Sequence, residues 1–205
     1  MASVTISPKD VSELRTRTGA GMMDCKRALE EAGGDMDKAA EILRKKGIAK
    51  AEKRAGRVAS QGLVVSYIHH NQQVGVLLEL NSETDFVARN EAFGQLAREL
   101  ALHIASADPI GVNPEDVPAD LLERERRIAE EQVAAEGKPE NIRAKIVEGK
   151  LKKWYKDVAL LEQPFVKDPD KTVEQIVTEV SAKTGEKIEV ARFVRFQVGD
   201  SKGGD

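Results

Sequence analysis

Leu63-Val64-Val65-Ser66-Tyr67-Ile68-His69, then His70-Asn71-Gln72-Gln73, then Val74-Gly75-Val76-Leu77-Leu78-Glu79-Leu80-Asn81: in this stretch the chain changes period. Val74, Val76, Leu78 and Leu80 alternate with Gly75, Leu77, Glu79 and Asn81, as in a strand with one face turned inward. Both apolar runs are rich in β-branched residues. The polar residues between them predict a hairpin turning near Asn71-Gln72. A third alternating run, Ile188, Val190, Val194, Phe196 and Val198, is expected to join the hairpin in an antiparallel three-stranded sheet. The other periodic segments read as helices, so the fold class is α+β.

Towards the N-terminus the spacing is helical. Ser7 before Pro8 is a helix start, because the hydroxyl caps free N–H groups and proline loses nothing at the first helical position. That helix reaches about Arg17 and breaks at Thr18-Gly19-Ala20-Gly21. Cys25, Ala28, Leu29 and Ala32 form the next buried stripe, closed by Gly33-Gly34. Asp35 caps a third helix carrying Met36, Ala39, Ala40 and Leu43, for which Gly47 supplies a stop. These helices read as a compact module over residues 1–48. The basic run from Arg44 to Arg57 has little apolar periodicity, and residues 49–57 are read as an exposed linker.

Towards the C-terminus, Phe93, Leu96, Ala97, Leu100 and Ile104 make a strong amphipathic stripe that should cover the hairpin and end at Asp108-Pro109. Two charged segments, Pro118 to Ala135 and Pro139 to about Lys156, flank Glu136-Gly137-Lys138. So short a connection predicts antiparallel neighbours, a projecting helical hairpin over about 118–156. A last helix, Thr172 to Lys183, should stop at Gly185. The α+β core is thus placed at 58–199, with 200–205 as a frayed tail.

Composition excludes several classes of function. The 205 residues carry a net charge of −3, so no global positive field holds a polyanion, and bulk nucleic-acid binding is not expected. No run of about 18 apolar residues occurs, and Met1-Ala2-Ser3-Val4-Thr5 lacks the basic and apolar regions of a leader. A cytoplasmic protein without membrane contact is the expectation. Cys25, the single cysteine, rules out an intramolecular disulfide framework. Neither GxGxxG after a strand nor GxxxxGK[ST] is present, so the chain is not expected to bind nucleotide itself. Adjacent His69 and His70 on a strand would point to opposite faces, which argues against a metal site and for a polar hairpin tip. No carboxylate pair stands apart from ordinary surface charge, so no enzyme and no cofactor is predicted.

Two segments leave alternatives open on local grounds. Met22-Met23 follows a glycine-flexible turn and reads either as core or as an adaptable partner surface. In Asn81-Ser82-Glu83-Thr84-Asp85-Phe86-Val87-Ala88-Arg89 a strand ends in polar residues; Thr84 or Asp85 caps a helix, and Phe86 either packs beneath that helix or projects from it.

Thr18-Gly19-Ala20-Gly21-Met22-Met23-Asp24-Cys25-Lys26, with Ala28-Leu29, closely resembles the N-terminal signature of the elongation factor Ts family. Thr84-Asp85-Phe86-Val87-Ala88 resembles its second signature. The similarity continues through Gly137-Lys138-Pro139, Val147-Glu148-Gly149-Lys150, Gln163-Pro164-Phe165-Val166 and Arg192-Phe193-Val194-Arg195-Phe196, nearly the whole chain. The resemblance implies a ubiquitin-associated-like fold for the N-terminal module and nucleotide exchange on the GTPase elongation factor Tu, in its GDP-bound and nucleotide-free forms. It implies that Met22 and Met23 dock on the nucleotide-binding domain, with Arg15 and Lys26 as neighbours. Thr84, Asp85, Phe86 and Val87 would belong to the second contact, with Asp85 and Phe86 entering near the magnesium side of the nucleotide pocket. Longer members duplicate the core. A chain with one hairpin unit is expected to form a homodimer instead, since an exposed sheet edge is a natural pairing surface. On the residues alone two other classes of function are open: an adaptor using the three-helix module, and an RNA binder using residues 44–57.

Overall fold

The computed structural model describes residues 6–200, which form two compact units. The expected frayed tail lies, from residue 201 onward, outside the described residues. One unit comprises the described residues up to Gly62 together with Asn81–Gly94 and Val177–Glu189; the other comprises Leu63–Leu80, Gln95–Ile176 and the residues from Val190 onward.

In the first unit, α1 (Pro8–Thr18) starts with a capping box: Asp10 N–H donates to Ser7 Oγ (3.1 Å), and Ser7 N–H donates to Asp10 Oδ2 (3.2 Å). It ends at Gly19, whose left-handed φ of 69° lets its N–H reach Arg15 O at 2.7 Å. A side chain there would also collide with the Lys183 methylenes. α2 (Met22–Glu31) closes at Gly33 and Gly34, both at positive φ, and Asp35 Oδ1 accepts the N–H groups of Asp37 and Lys38 to begin α3 (Met36–Arg54). Val11, Leu14, Cys25, Ala28, Leu29 and Ala39 make the core of this bundle, edged by Ile6, Met36 and Leu43.

The helix does not stop at Gly47, as the spacing had predicted; it runs on to Arg54. A terminating glycine adopts left-handed φ, and Gly47 does not. The residues that follow, Ile48 to Arg54, include no proline and no second glycine, so one glycine is absorbed at a cost of about 1 kcal/mol.

β1 (Gln61–Ile68), β2 (Val74–Ser82) and β5 (Ile188–Gln197) form an antiparallel sheet in the order β1-β2-β5. The hairpin turns at Gln72, held at φ 58°, with His69 N–H donating to Val74 O at 2.8 Å. Val76, Leu78 and Leu80 of β2 and Ile188 and Val190 of β5 are buried. α5 (Glu91–Ala107) buries Phe93, Leu96, Ala97, Leu100 and Ile104, the stripe read from the sequence, with Ala101 beside them. Arg195 from β5 closes that helix, donating to Ala105 O at 3.3 Å and pairing with Asp108 at 3.2 Å.

α6 (Ala119–Ala135) and α7 (Glu140–Val158) form the expected hairpin and bury a seam of their own, Ala129, Val133, Val147 and Leu151. At its base the flanking chains pair: Ile110 N–H donates to Val158 O at 2.8 Å and Leu160 N–H to Gly111 O at 2.9 Å. A small antiparallel ribbon, β3 (Pro164–Phe165) with β4 (Asp168–Thr172), forms a second sheet that the sequence does not predict. α8 (Val173–Thr184) then leads to Gly185 at φ 80°. Among the described residues, no helix is long and apolar enough to cross a membrane.

His103 and Gln163 supply the polar part of the second unit's core. Val166 N–H donates to His103 Nδ1 (3.2 Å), so the ring proton sits on Nε2, which donates to Gln163 Oε1 at 2.9 Å. Gln163 Nε2 in turn donates to Asp157 O at 2.8 Å. Burial pushes the imidazole below its ordinary pKa, with the Gln163 bond opposing.

Candidate functional site

All eight residues singled out from the sequence lie in the first unit. They occupy two exposed turns, each held from its inner side.

The first turn joins α1 to α2. Thr18 Oγ1 donates to Leu14 O at 2.7 Å and accepts Ala20 N–H at 3.3 Å, while Cys25 Sγ donates to Ala20 O at 3.7 Å. Burial raises the Cys25 pKa, so this side chain packs rather than reacts. With the backbone fixed from inside, Met22 and Met23 point outward, 45% and 65% exposed. The core reading of this pair is thereby overturned. The buried stripe of α2 falls at Cys25, Ala28 and Leu29, and helical geometry carries the two methionines off that face. Arg15 and Lys26 are also exposed, Lys26 within 3.9 Å of Glu30.

The second turn is α4 (Asp85–Ala88), a single helical turn after β2. Thr84, extended at φ −127°, is its N-cap, with Oγ1 accepting Val87 N–H at 3.5 Å. Val87 is half-buried. Asp85 pairs with Arg89 of the same turn at 2.9 Å. Phe86 is 83% exposed, so the alternative in which it packs beneath the helix is overturned. The apolar position that anchors the next helix is Phe93, which is fully buried.

Six residues outside the predicted set fix this second turn. Glu186 accepts both donors of Thr84, the N–H on Oε2 (3.0 Å) and the hydroxyl on Oε1 (2.7 Å). Glu83 accepts Lys187 N–H at 2.6 Å and two bonds from Arg57 Nη1 at 3.2 Å. The Lys187 amide and then Arg57 hold the Glu83 carboxyl below the usual carboxylate range. Ser181 Oγ donates to Glu186 O at 2.6 Å, and Arg54 donates to Ser181 O at 3.1 Å. Partners separated by about a hundred positions leave no periodic trace in a sequence, and nothing local marked them.

His69 and His70 sit at the hairpin tip, with His69 Nδ1 3.0 Å from Tyr67 OH. Among the described residues no group of three or more side chains is arranged to hold a metal. Exposed methionines on the first turn and an exposed phenylalanine on the second, each on hydrogen-bonded backbone, are features suited to contact with another protein.

Comparison with known proteins agrees with the two signatures. The family model described as Elongation factor TS matches residues 37–200. The chain is 57% identical to Elongation factor Ts of Desulforamulus reducens over 95% of this chain and 90% of that protein. It is 55% identical to Elongation factor Ts of Fervidobacterium nodosum, covering 99% of it, and 53% identical to that of Thermosipho melanesiensis, covering all of it. These relatives share the short length, and the chain belongs to the elongation factor Ts family of translation factors.

Proposed function

We propose that the protein is the guanine-nucleotide exchange factor of elongation factor Tu, working in the cytoplasm and carrying out no bond chemistry of its own. The observation that carries this reading is Phe86, an aromatic side chain 83% exposed on a turn whose backbone is held by half-buried hydrogen bonds. Leaving a phenylalanine in water forgoes about 1.5–3 kcal/mol of burial, so an exposed one on a fixed support fits a surface that meets a partner.

The mechanism is one of linkage. A factor that binds the empty GTPase more tightly than the GDP form must weaken GDP binding by the same factor. Phe86 is the wedge that enters between elements of the GTPase, with Asp85 beside it on the magnesium side, Thr84 capping the turn and Val87 seating it. Met22 and Met23 dock on the nucleotide-binding domain, flanked by Arg15 and Lys26. Their unbranched thioether side chains adapt to that surface at little cost. Displacing the loop that holds the phosphates removes the coordination that offsets phosphate charge, and GDP leaves. GTP then displaces the factor.

The second unit serves self-association. Val64, Ile68, Leu77, Val194 and Phe196 are exposed on the sheet, and Ile68, Gly75, Leu77, Phe196 and Val198 line one shallow apolar groove. A second copy covers that face in our reading, and no nucleic acid takes part. Stopped-flow release of labelled GDP from elongation factor Tu tests the function: release should quicken with added protein and saturate. Release unchanged at micromolar factor would refute it.

A further inference from the structure

α4 is a single turn, far too short to hold its shape unaided. Its shape is imposed by two carboxylates that cross between the segment at 82–84 and the segment at 186–187. Glu186 reaches from the second segment to the Thr84 N–H and hydroxyl; Glu83 reaches from the first to the Lys187 N–H. Each segment thus supplies the acceptor for the other's backbone. Ser82 Oγ donates to Thr84 O at 2.9 Å, completing the inner side of the turn.

We propose that Glu186 and Glu83 form a reciprocal carboxylate clasp that positions the Asp85-Phe86 turn for docking, with Glu186 as its principal positioning residue. The proposal rests on the exchange reading above. Both carboxylates are half-buried and lie outside the apolar core of the three-helix bundle, whose members are Val11, Leu14, Cys25, Ala28, Leu29 and Ala39. Their bonds go to the turn and its neighbour. Arg57 on Glu83 and Arg54 on Ser181 extend the clasp to the end of α3. A helix that continued past Gly47 is what brings these two arginines within reach.

The chemistry of the clasp sets its test. Thr84 directs two donors at two different oxygens of Glu186; a glutamine keeps one acceptor oxygen, sets an N–H₂ against the hydroxyl so that the hydroxyl must turn from donor to acceptor, and loses the charge that strengthens both bonds. Glu186→Gln should therefore release the turn without removing volume. When the competent conformer falls to a fraction of the population, apparent affinity falls by that fraction, while the fully bound state is unaltered.

The experiment uses the full chain and two readouts. In GDP-release kinetics over a range of factor concentrations, Glu186→Gln should raise the half-saturating concentration about fivefold or more and leave the maximal rate within about twofold. In amide hydrogen exchange, Thr84 should exchange about tenfold faster while the Cys25 and Ala28 amides of α2 keep their protection. An unchanged half-saturating concentration, a Thr84 amide as protected as before, or a lowered maximal rate at unchanged half-saturation overturns the proposal. Should Glu186→Gln melt globally, Glu83→Gln replaces it: the Lys187 amide should lose protection and half-saturation rise in the same direction, and a normal half-saturation with that amide freed overturns the clasp. If the unsubstituted protein leaves GDP release unchanged, the exchange reading fails on its own. The clasp then falls only if Thr84 is equally protected in both proteins.

Discussion

An exposed aromatic contributes to a fold only through what it touches, and Phe86, 83% exposed, touches little. Phe86→Ala should leave the thermal midpoint of the protein unchanged and slow catalysed GDP release about tenfold or more, since losing an interface aromatic costs a few kcal/mol and about 1.4 kcal/mol is tenfold. Normal release by the folded variant would remove Phe86 from the mechanism. His103 is the opposite case, a polar residue whose partners are all internal. Its neutral ring is required by the Val166 N–H that it accepts, and its pKa is lowered in the fold. The unfolded state therefore binds the proton more readily. Stability from this group is complete above about pH 6.5 and falls as pH drops below that value towards the folded pKa. Thermal melts between pH 7.5 and 5 should show that decline, and His103→Gln should flatten it; an equally steep decline in the variant would assign it elsewhere. Neither environment was legible residue by residue. Local sequence marks Phe86 but leaves open whether it packs or projects, and it leaves His103 unassigned because its partners come from other elements.

Elements with strong local chemistry were legible. Ser7-Pro8, Gly33-Gly34 and Gly185 punctuate the chain where the structure ends or begins helices, because capping oxygens and positive φ are local requirements. β-branched richness marks β1, alternation marks β2 and β5, and helical spacing marks the stripe of α5. The ribbon β3–β4 is not legible in the sequence: Pro164-Phe165 spans two residues, Asp168–Thr172 is short and polar, and no alternation distinguishes either from a loop. Gly47 misled for a different reason, since a glycine inside a helix and one at its end are the same letter. The structure separates them through a test. A Cβ at Gly47 would meet Ala182 Cβ at 3.5 Å, an ordinary contact, and the backbone there is helical. Gly47→Ala should therefore stabilise the protein by about 0.5–1 kcal/mol through the lost freedom of the unfolded chain. A helix stop at this position would require left-handed φ, and alanine would then destabilise. Denaturant midpoints of the two proteins decide the sign.

At the scale of the molecule, the question is what the second unit does with its outer sheet face. Antiparallel sheets commonly leave one face to water, and such faces are then polar. This one is not: Val64 and Ile68 on β1, Leu77 on β2, and Val194 and Phe196 on β5 are exposed, with Phe196 at 68%. Arg192 and Glu79 form an ion pair at 2.8 Å on this face. A soluble monomer rarely presents so contiguous an apolar patch, and a flat patch on a sheet is self-complementary under a two-fold axis. Two copies stacked face to face would place their sheets about 10 Å apart, the spacing of a sandwich core, and bury the five side chains together. The chain should therefore sediment at micromolar concentration at twice its 22.4 kDa mass. Phe196→Glu would place a charge in that seam on both copies at once. The variant should sediment as a monomer with its circular dichroism intact, because Phe196 contributes little to the core of its own chain. A parent that already sediments at the single-chain mass, or a Phe196→Glu protein that remains dimeric, would show that the apolar face is not the seam between copies.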